Sequence, residues 1–545
     1  MPEQERDPLA QELHKQALGK PEPRKEMSDA CRRAGAEGTV LLKNDGVLPL
    51  RKTGSTAFFG RVQRDYFYVG YGSGGDVNPD YLVSPMDALE ARGDIAYDKA
   101  LADRYRLWCQ ANLPPVADWA QWPTCHPEMP LSEKDIQAAA QRNDAAVVIL
   151  GRAMGEAMDN RPVPGGYYLT EEEKALLAQV TGAFRKVCVV VDAGNIMDLS
   201  WVEAYPIGAL LYAFQGGMES GNALIDVLYG DAQPGGRLTD TVPRHYEDAP
   251  SYGHFGGRDF NEYREDIYVG YRYYETFAQD KVLYPFGFGL SYTSFRVESA
   301  AAAWHTSWDL RIQVTNTGSR PGRQVVQVYV TCPWGTLDQP YQVLAAYGKT
   351  PELSSGRSCR MEVSFHMADL ASFDESRACY ILERGDYVLR FGASSQDTSP
   401  IGILHLAQDV VTQRVKTLSG SPDFRDWVPV KTWELPQALP VYDLDLSNLA
   451  AKTVSYADPL LPDPQVQALT DQELASISIG SFQIKRRSSL VGDSGTKIPG
   501  TAGETTSKLK DKGFPAMVMS DGPAGIRLAR DYYVDKSGAH SLTDS

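Results

Sequence analysis

What most constrains the fold of this chain is a change of hydrophobic period near residue 300. Before it, residues 56–59, 145–151, 187–193 and 207–214 are almost uninterrupted apolar runs, the form taken by strands buried on both faces. Between these runs, Ser132-x-x-Asp135 and Thr170-x-x-Glu173 have the spacing of helix-opening capping boxes, and Ser220 and Gly221 precede a helical stretch at 222–229. The alternation predicts an αβα sandwich over residues 28–299, a mainly parallel sheet between two helical layers, preceded by a charged N-terminal segment 1–27. Past 300 the period becomes two. Leu310, Ile312 and Val314 alternate with polar residues, as do Val326, Val328 and Val330, and Asn316-Thr317-Gly318 supplies a turn between them. An all-β sandwich over 300–412 follows. Residues 413–455 are Pro-rich and read as a linker, with Trp427 and Trp433 fitting a strap laid along a surface. From 456 a further element begins: Thr470-x-x-Glu473 opens a helix, and 516–519 reads as a strand running into Ser520-Asp521-Gly522-Pro523.

A length of 545 residues suits about three such domains. Lys plus Arg number 54 against 70 Asp plus Glu, a formal charge of −16 that repels a phosphate backbone, so nucleic acid is excluded as a first expectation. No apolar stretch approaches the ~18 residues of a membrane span. The opening MPEQERDPLAQELHKQ lacks the apolar core of a secretory signal, so a cytoplasmic location is expected. Seven scattered cysteines, with no C-x-x-C and no His pair at zinc-finger spacing, read as reduced thiols. Neither a metal nor a cofactor is expected.

Residues 70–75 (GYGSGG) formally contain G-x-G-x-x-G, but the next helix start, Ser84-Pro85, lies nine residues on. A dinucleotide site needs the glycines to lead directly into a helix. The stretch reads instead as a loop presenting N–H groups and Ser73 to a polar ligand, or as a plain turn. No G-x-S-x-G and no P-loop occur. Carboxylates remain. Residues 155–161 (GEAMDNR) follow the strand 145–151 directly, at the carboxyl edge where ligands of open α/β sheets gather; a solvated loop is the competing reading. Asp521 sits at the end of its strand, where a helix N-cap role competes with a site role.

Residues 35–50 (GAEGTVLLKNDGVLPL), 266–274 (DIYVGYRYY) and 284–292 (YPFGFGLSY) resemble the family 3 glycoside hydrolases, chiefly β-glucosidases. Residues 314–318 (VTNTG) and 324–330 (QVVQVYV) are similar to that family's fibronectin type III-like domain, and 501–506 (TAGETT) and 520–527 (SDGPAGIR) to the opening of its catalytic (β/α)8 barrel. The resemblance runs from about residue 28 to 530, in the inverted order in which the sandwich precedes the barrel. It implies a retaining two-carboxylate mechanism on β-glucosides or related oligosaccharides. Glu156 takes the acid/base role, from a G-E-G-x-D-R loop matched at Gly155, Glu156 and Asp159; Ala157 replaces a glycine and Asn160 the arginine, with Arg161 adjacent. Asp521 and Arg527 take glycone-binding roles, and Ser73 a further substrate contact. A small carbohydrate is the partner implied, and a homo-oligomer is allowed.

A (β/α)8 barrel takes about 250 residues, whereas 456–545 comprise 90. The family's nucleophilic Asp, in a Ser-Asp-Trp-like motif late in the barrel, has no counterpart among them. The resemblance therefore implies an incomplete barrel and a chain without its nucleophile. A catalytically inactive carbohydrate-binding or interaction protein is the alternative.

Overall fold

The computed structural model describes residues 25–70, 79, 81–115, 125–152, 154–155, 161–304, 308–418, 420, 425–429, 438–455, 463–479, 503–515, 517–520, 532–535 and 538–541. Strands β1 (Val40–Asn44), β2 (Thr56–Phe59), β3 (Ala145–Arg152), β4 (Val187–Ala193) and β5 (Ala209–Tyr212) form one sheet in the order β1-β5-β4-β3-β2. β2 to β5 are parallel, and β1 closes the edge antiparallel to β5. Every residue of β3 and β4 is buried, which is why those runs show no polar alternation. Successive residues enter opposite cores. Ala146, Val148, Leu150, Val187, Val189 and Val191 pack with Ile136, Leu177 and Val180 of the helices Glu133–Arg142 and Glu171–Ala183. Ala145, Val147, Ile149, Cys188 and Val190 pack with Met86, Leu89, Leu224 and Leu228 of the helices Pro85–Ala91 and Ser220–Tyr229. Each full burial of a Val or Leu contributes about 1.5–3 kcal/mol.

Ser132 and Thr170 cap their helices as read from the sequence, with Asp135 and Glu173 returning the bond to the cap N–H. Two local expectations change. The run 207–214 is a strand only over Ala209–Tyr212, because Ile207 N–H turns back to Tyr205 O (2.8 Å) and Phe214 leaves the extended region at φ +54°. The helix at 220 is preceded by Glu219, whose side chain makes no capping bond, so Ser220 is inside the helix rather than its cap.

Strands β6 (Val242–Pro243) and β7 (Val282–Tyr284) pair antiparallel beside the helix Tyr271–Phe277. The all-β domain follows. β8 (Phe295–Trp304), β9 (Trp308–Asn316), β10 (Val325–Thr331), β11 (Val343–Lys349), β12 (Ser358–Phe365), β13 (Ser372–Asp374), β14 (Cys379–Leu382), β15 (Gly385–Gly392), β16 (Thr398–Leu406) and β17 (Val410–Arg414) fill three sheets. Leu310, Ile312, Val314, Val326, Val328 and Val330 share its core. At Asn316 the side-chain oxygen accepts from Gly318 N–H (3.0 Å), the turn chemistry expected.

The segment read as a linker adds strands of its own. β18 (Val441–Asp443) joins β16 and β19 (Lys452–Thr453) joins β17, both parallel. Trp427 packs on Tyr273 with ring centroids 4.7 Å apart, so the strap does lie on the α/β domain; Trp433 is outside the described residues. Farther on, the helices Pro464–Gln467 and Asp471–Ile479 are followed by a two-residue ladder in which Val518–Met519 pairs antiparallel with Gly503–Glu504. The strand expected over 516–519 is thus present at Val518–Met519, with an antiparallel partner. A parallel partner needs a long crossover to reach it, whereas residues 504 and 518 meet across one short excursion. Among the described residues no helix is long and apolar enough to cross a membrane.

Candidate active site

The four parallel strands run in one direction, so the loops leaving them all depart from the carboxyl edge of the sheet. The helix that follows β3 begins after Thr170, and the crossing between them is described at 154–155 and 161–170. Arg152, the last residue of β3, fixes both ends of that crossing. Its Nη1 and Nη2 donate to Glu173 Oε1 (2.7 Å) and Oε2 (2.6 Å), while Nη1 also reaches Gly151 O, Nη2 reaches Tyr168 O (3.0 Å) and Nε reaches Gly166 O (2.9 Å). All the guanidinium donors are thus engaged, and both side chains are nearly sealed at 4% and 6% exposure. A bidentate, dry ion pair of this kind holds geometry firmly. The turn 161–168 that it grips is compact: Tyr167 N–H bonds Arg161 O (2.9 Å), Gly165 N–H bonds Tyr168 O (2.9 Å), and Asp198 N–H bonds Tyr167 O (3.0 Å).

The glycine-rich loop starts beside this crossing. A Cβ added at Gly70 would lie 3.2 Å from Met154 O and 3.5 Å from Gln215 Oε1, and one added at Gly194 would lie 2.7 Å from the same Gln215 oxygen. Segments following β2, β3, β4 and β5 therefore meet around Gln215, and the absence of side chains at Gly70 and Gly194 makes room for it. Phe214, at positive φ, aims it there. Gln215 Nε2 is buried and has no hydrogen-bond partner among the described residues. Below it, Asp192 of β4 accepts from Phe67 N–H (2.8 Å) and so fixes the path from β2 towards the glycine loop. Burial pushes the Asp192 carboxyl well above its ordinary range, and burial together with the Asp192 charge pushes the Tyr66 phenol up.

Glu156, Ser73, Asp521 and Arg527 all lie outside the described residues. The structure brings together the stems of two of their loops: Met154 and Gly155 lead into Glu156, and Gly70 leads towards Ser73. Arg161, beyond the loop, is exposed. Sequence reasoning missed Arg152, Gln215 and Asp192. Arg152 had a signal, a single charge closing an eight-residue apolar strand; Gln215 had none apart from Gly216 and Gly217 behind it. Among the described residues no group of three or more His, Cys, Asp or Glu side chains could hold a metal ion.

Residues 39–292 match the glycosyl hydrolase family 3 C-terminal domain, and 324–395 match a fibronectin type III-like domain. Among curated proteins, the β-glucosidase of Ruminococcus albus is 33% identical over 511 residues, covering 90% of this chain and 54% of that protein. The chain belongs to glycoside hydrolase family 3. Butyrivibrio fibrisolvens β-glucosidase A is 35% identical over 467 residues, covering 75% of this family 3 chain and 55% of its own length. The solved structure of a β-glucosidase from Paenibacillus barengoltzii superposes with a TM-score of 0.76 at 34% identity, covering 93% of this chain and 59% of that one. β-Glucosidase 3B from Thermotoga neapolitana, solved in complex with glucose, does so at 0.65 and 34%, covering 71% and 55%. The chain spans about half the length of the curated relatives it matches. Its α/β domain and the all-β domain after it are the two regions that carry the family pattern.

Proposed function

We propose that this protein is a β-glucosidase-type glycosidase, cleaving O-glycosidic bonds of β-glucosides or related oligosaccharides by the retaining two-carboxylate route. The observation that carries this reading is the alignment of 90% of the chain with a β-glucosidase, running through the edge where the stems of the Glu156 and Ser73 loops meet. Glu156 in its acid form protonates the departing glycosidic oxygen, and as a carboxylate it then takes a proton from the water that releases the sugar. Arg152, at the stem of that loop, holds its exit turn through Gly166 and Tyr168. Asp521 and Arg527 bind glycone hydroxyls and Ser73 adds a contact. The attacking carboxylate is that of a Ser-Asp-Trp-like barrel motif, for which residues 456–545 offer no counterpart, and we assign the barrel to start at about 456. The cysteines are unpaired thiols, four of them buried, which suits a reducing compartment, and we place the protein in the cytoplasm.

The test is hydrolysis of 4-nitrophenyl β-D-glucoside and cellobiose by the chain joined to a completed barrel. Cellobiose turnover strongly reduced by Glu156→Gln, with 4-nitrophenyl β-D-glucoside affected far less, is expected. Saccharide binding with no turnover in any form would favour the alternative, a carbohydrate-binding protein without chemistry.

A further inference from the structure

Residues 253–264 line an open cavity of about 560 Å³, within the size range of small-molecule sites. Its walls are Phe255, Phe260, Arg258, Asp259, Glu262 and His254. The loop is shaped in advance. His254 and Phe255 N–H both bond Ser251 O (3.0 Å), Gly257 N–H bonds Asn261 Oδ1 (2.8 Å), and a Cβ at Gly257 would strike Phe260 O at 1.9 Å, so only glycine lets the backbone close there. Both flanks are pinned: Trp427 N–H bonds Arg264 O (3.1 Å), and the His254 ring meets Trp427 edge-on at 6.4 Å.

The cavity presents unused binding groups. Phe255 is 66% exposed, Phe260 72% and Tyr252 52%, a density of bare aromatic rings that marks an interaction site. Among the described residues, neither Arg258 nor Asp259 makes an ion pair or hydrogen bond. Aromatic faces beside unpaired charged hydrogen-bonding groups suit a ligand with apolar C–H faces and a rim of hydroxyls, which is the chemistry of a pyranose chain. Position agrees. A ladder of rings, Tyr168 to Tyr167 (5.3 Å), Tyr167 to Tyr246 (5.1 Å) and Tyr246 to Tyr252 (5.9 Å), runs from the turn gripped by Arg152 to the rim of this cavity.

We propose that the 253–264 cavity is a saccharide-binding site, separate from the candidate active site, that takes a gluco-oligosaccharide by stacking on Phe255 and Phe260 with hydroxyls bonded by Arg258 and Asp259. The choice of sugar rests on the proposed function, but the readout needs no turnover. The 545-residue chain is titrated calorimetrically with cellotetraose and laminaritetraose. Saturable binding is expected, weakened about tenfold by Phe260→Ala and by Asp259→Asn. Both cavity residues are solvent-exposed, so melting temperatures should stay at the wild-type value and certify that the variants fold. No saturable binding of either sugar, or binding that both cavity variants leave intact, overturns the site. Hydrolysis by the barrel-completed enzyme without cavity binding would remove this site alone, and cavity binding without hydrolysis would remove the proposed activity alone.

Discussion

Glu275 makes the junction between the α/β and all-β domains sensitive to pH. It is 4% exposed on the helix Tyr271–Phe277, where Oε1 accepts from Ser395 Oγ (2.7 Å) across the junction and Oε2 from Gln279 Nε2 (3.2 Å). Burial raises its carboxyl from the usual 4.5 to about 7, and these two hydrogen bonds only partly oppose the rise. Between those values the folded protein holds a proton that the unfolded chain releases, so stability falls as pH rises across the window, and the loss is complete above pH 7. At 1.36 kcal/mol per unit the effect is about 3 kcal/mol. Glu275→Gln keeps an acceptor for Ser395 Oγ and carries no charge, so it should be near neutral at pH 5 and more stable than wild type by about 3 kcal/mol at pH 8. Urea unfolding followed by tryptophan fluorescence at both pH values measures this, and comparing the two proteins cancels every other titrating group. An identical fall in both proteins from pH 5 to pH 8 would refute the assignment.

Three further outcomes are expected. Arg152→Met leaves the Glu173 carboxylate buried without its partner, which costs about 3–5 kcal/mol; thermal denaturation should show a fall of many degrees, and a change under 1 kcal/mol would contradict the clamp. Gln215→Leu removes a buried donor that has no partner among the described residues, so stability should hold or rise while β-glucoside hydrolysis by the barrel-completed enzyme falls; a loss of both would make Gln215 a packing residue. Amide exchange at Val518 and Met519, on a two-residue ladder with Met519 more than half exposed, should be much faster than at Val189 and Val190 of the sheet centre, and equal protection would mean a packed home for that segment.

The sequence shows most where one local signal determines one element. β3 and β4 are legible because burial on both faces demands continuous apolar runs, and Ser132 and Thr170 because a capping box is a contact three residues long. β1 is different: residues 40–44 serve as a recognisable stretch of the family pattern, but their pairing with β5, some 170 residues away, leaves no periodic mark. The strap strands at 441–443 and 452–453 are too short to show a period, and only their partners β16 and β17 make them strands. The same holds at the candidate site. Glu156 stands out by its place after an apolar strand and by its family loop, both local cues, whereas Arg152 acquires its meaning from Glu173 and Gln215 from Gly70 and Gly194, contacts that exist only once the strands are assembled.

The claim at the centre of this account is that Glu156 is the proton donor, and the dependence of hydrolysis on the leaving group tests it most directly. On the barrel-completed enzyme, kcat/KM is measured for a series of aryl β-glucosides of graded leaving-group acidity and for cellobiose. The wild type should depend weakly on the leaving group. Glu156→Gln should retain activity on the most acidic phenols and lose about 100- to 10,000-fold on cellobiose, because only a poor leaving group needs a proton as it departs. Parallel losses across the whole series, with the melting temperature unchanged, would contradict the assignment of Glu156 as the acid.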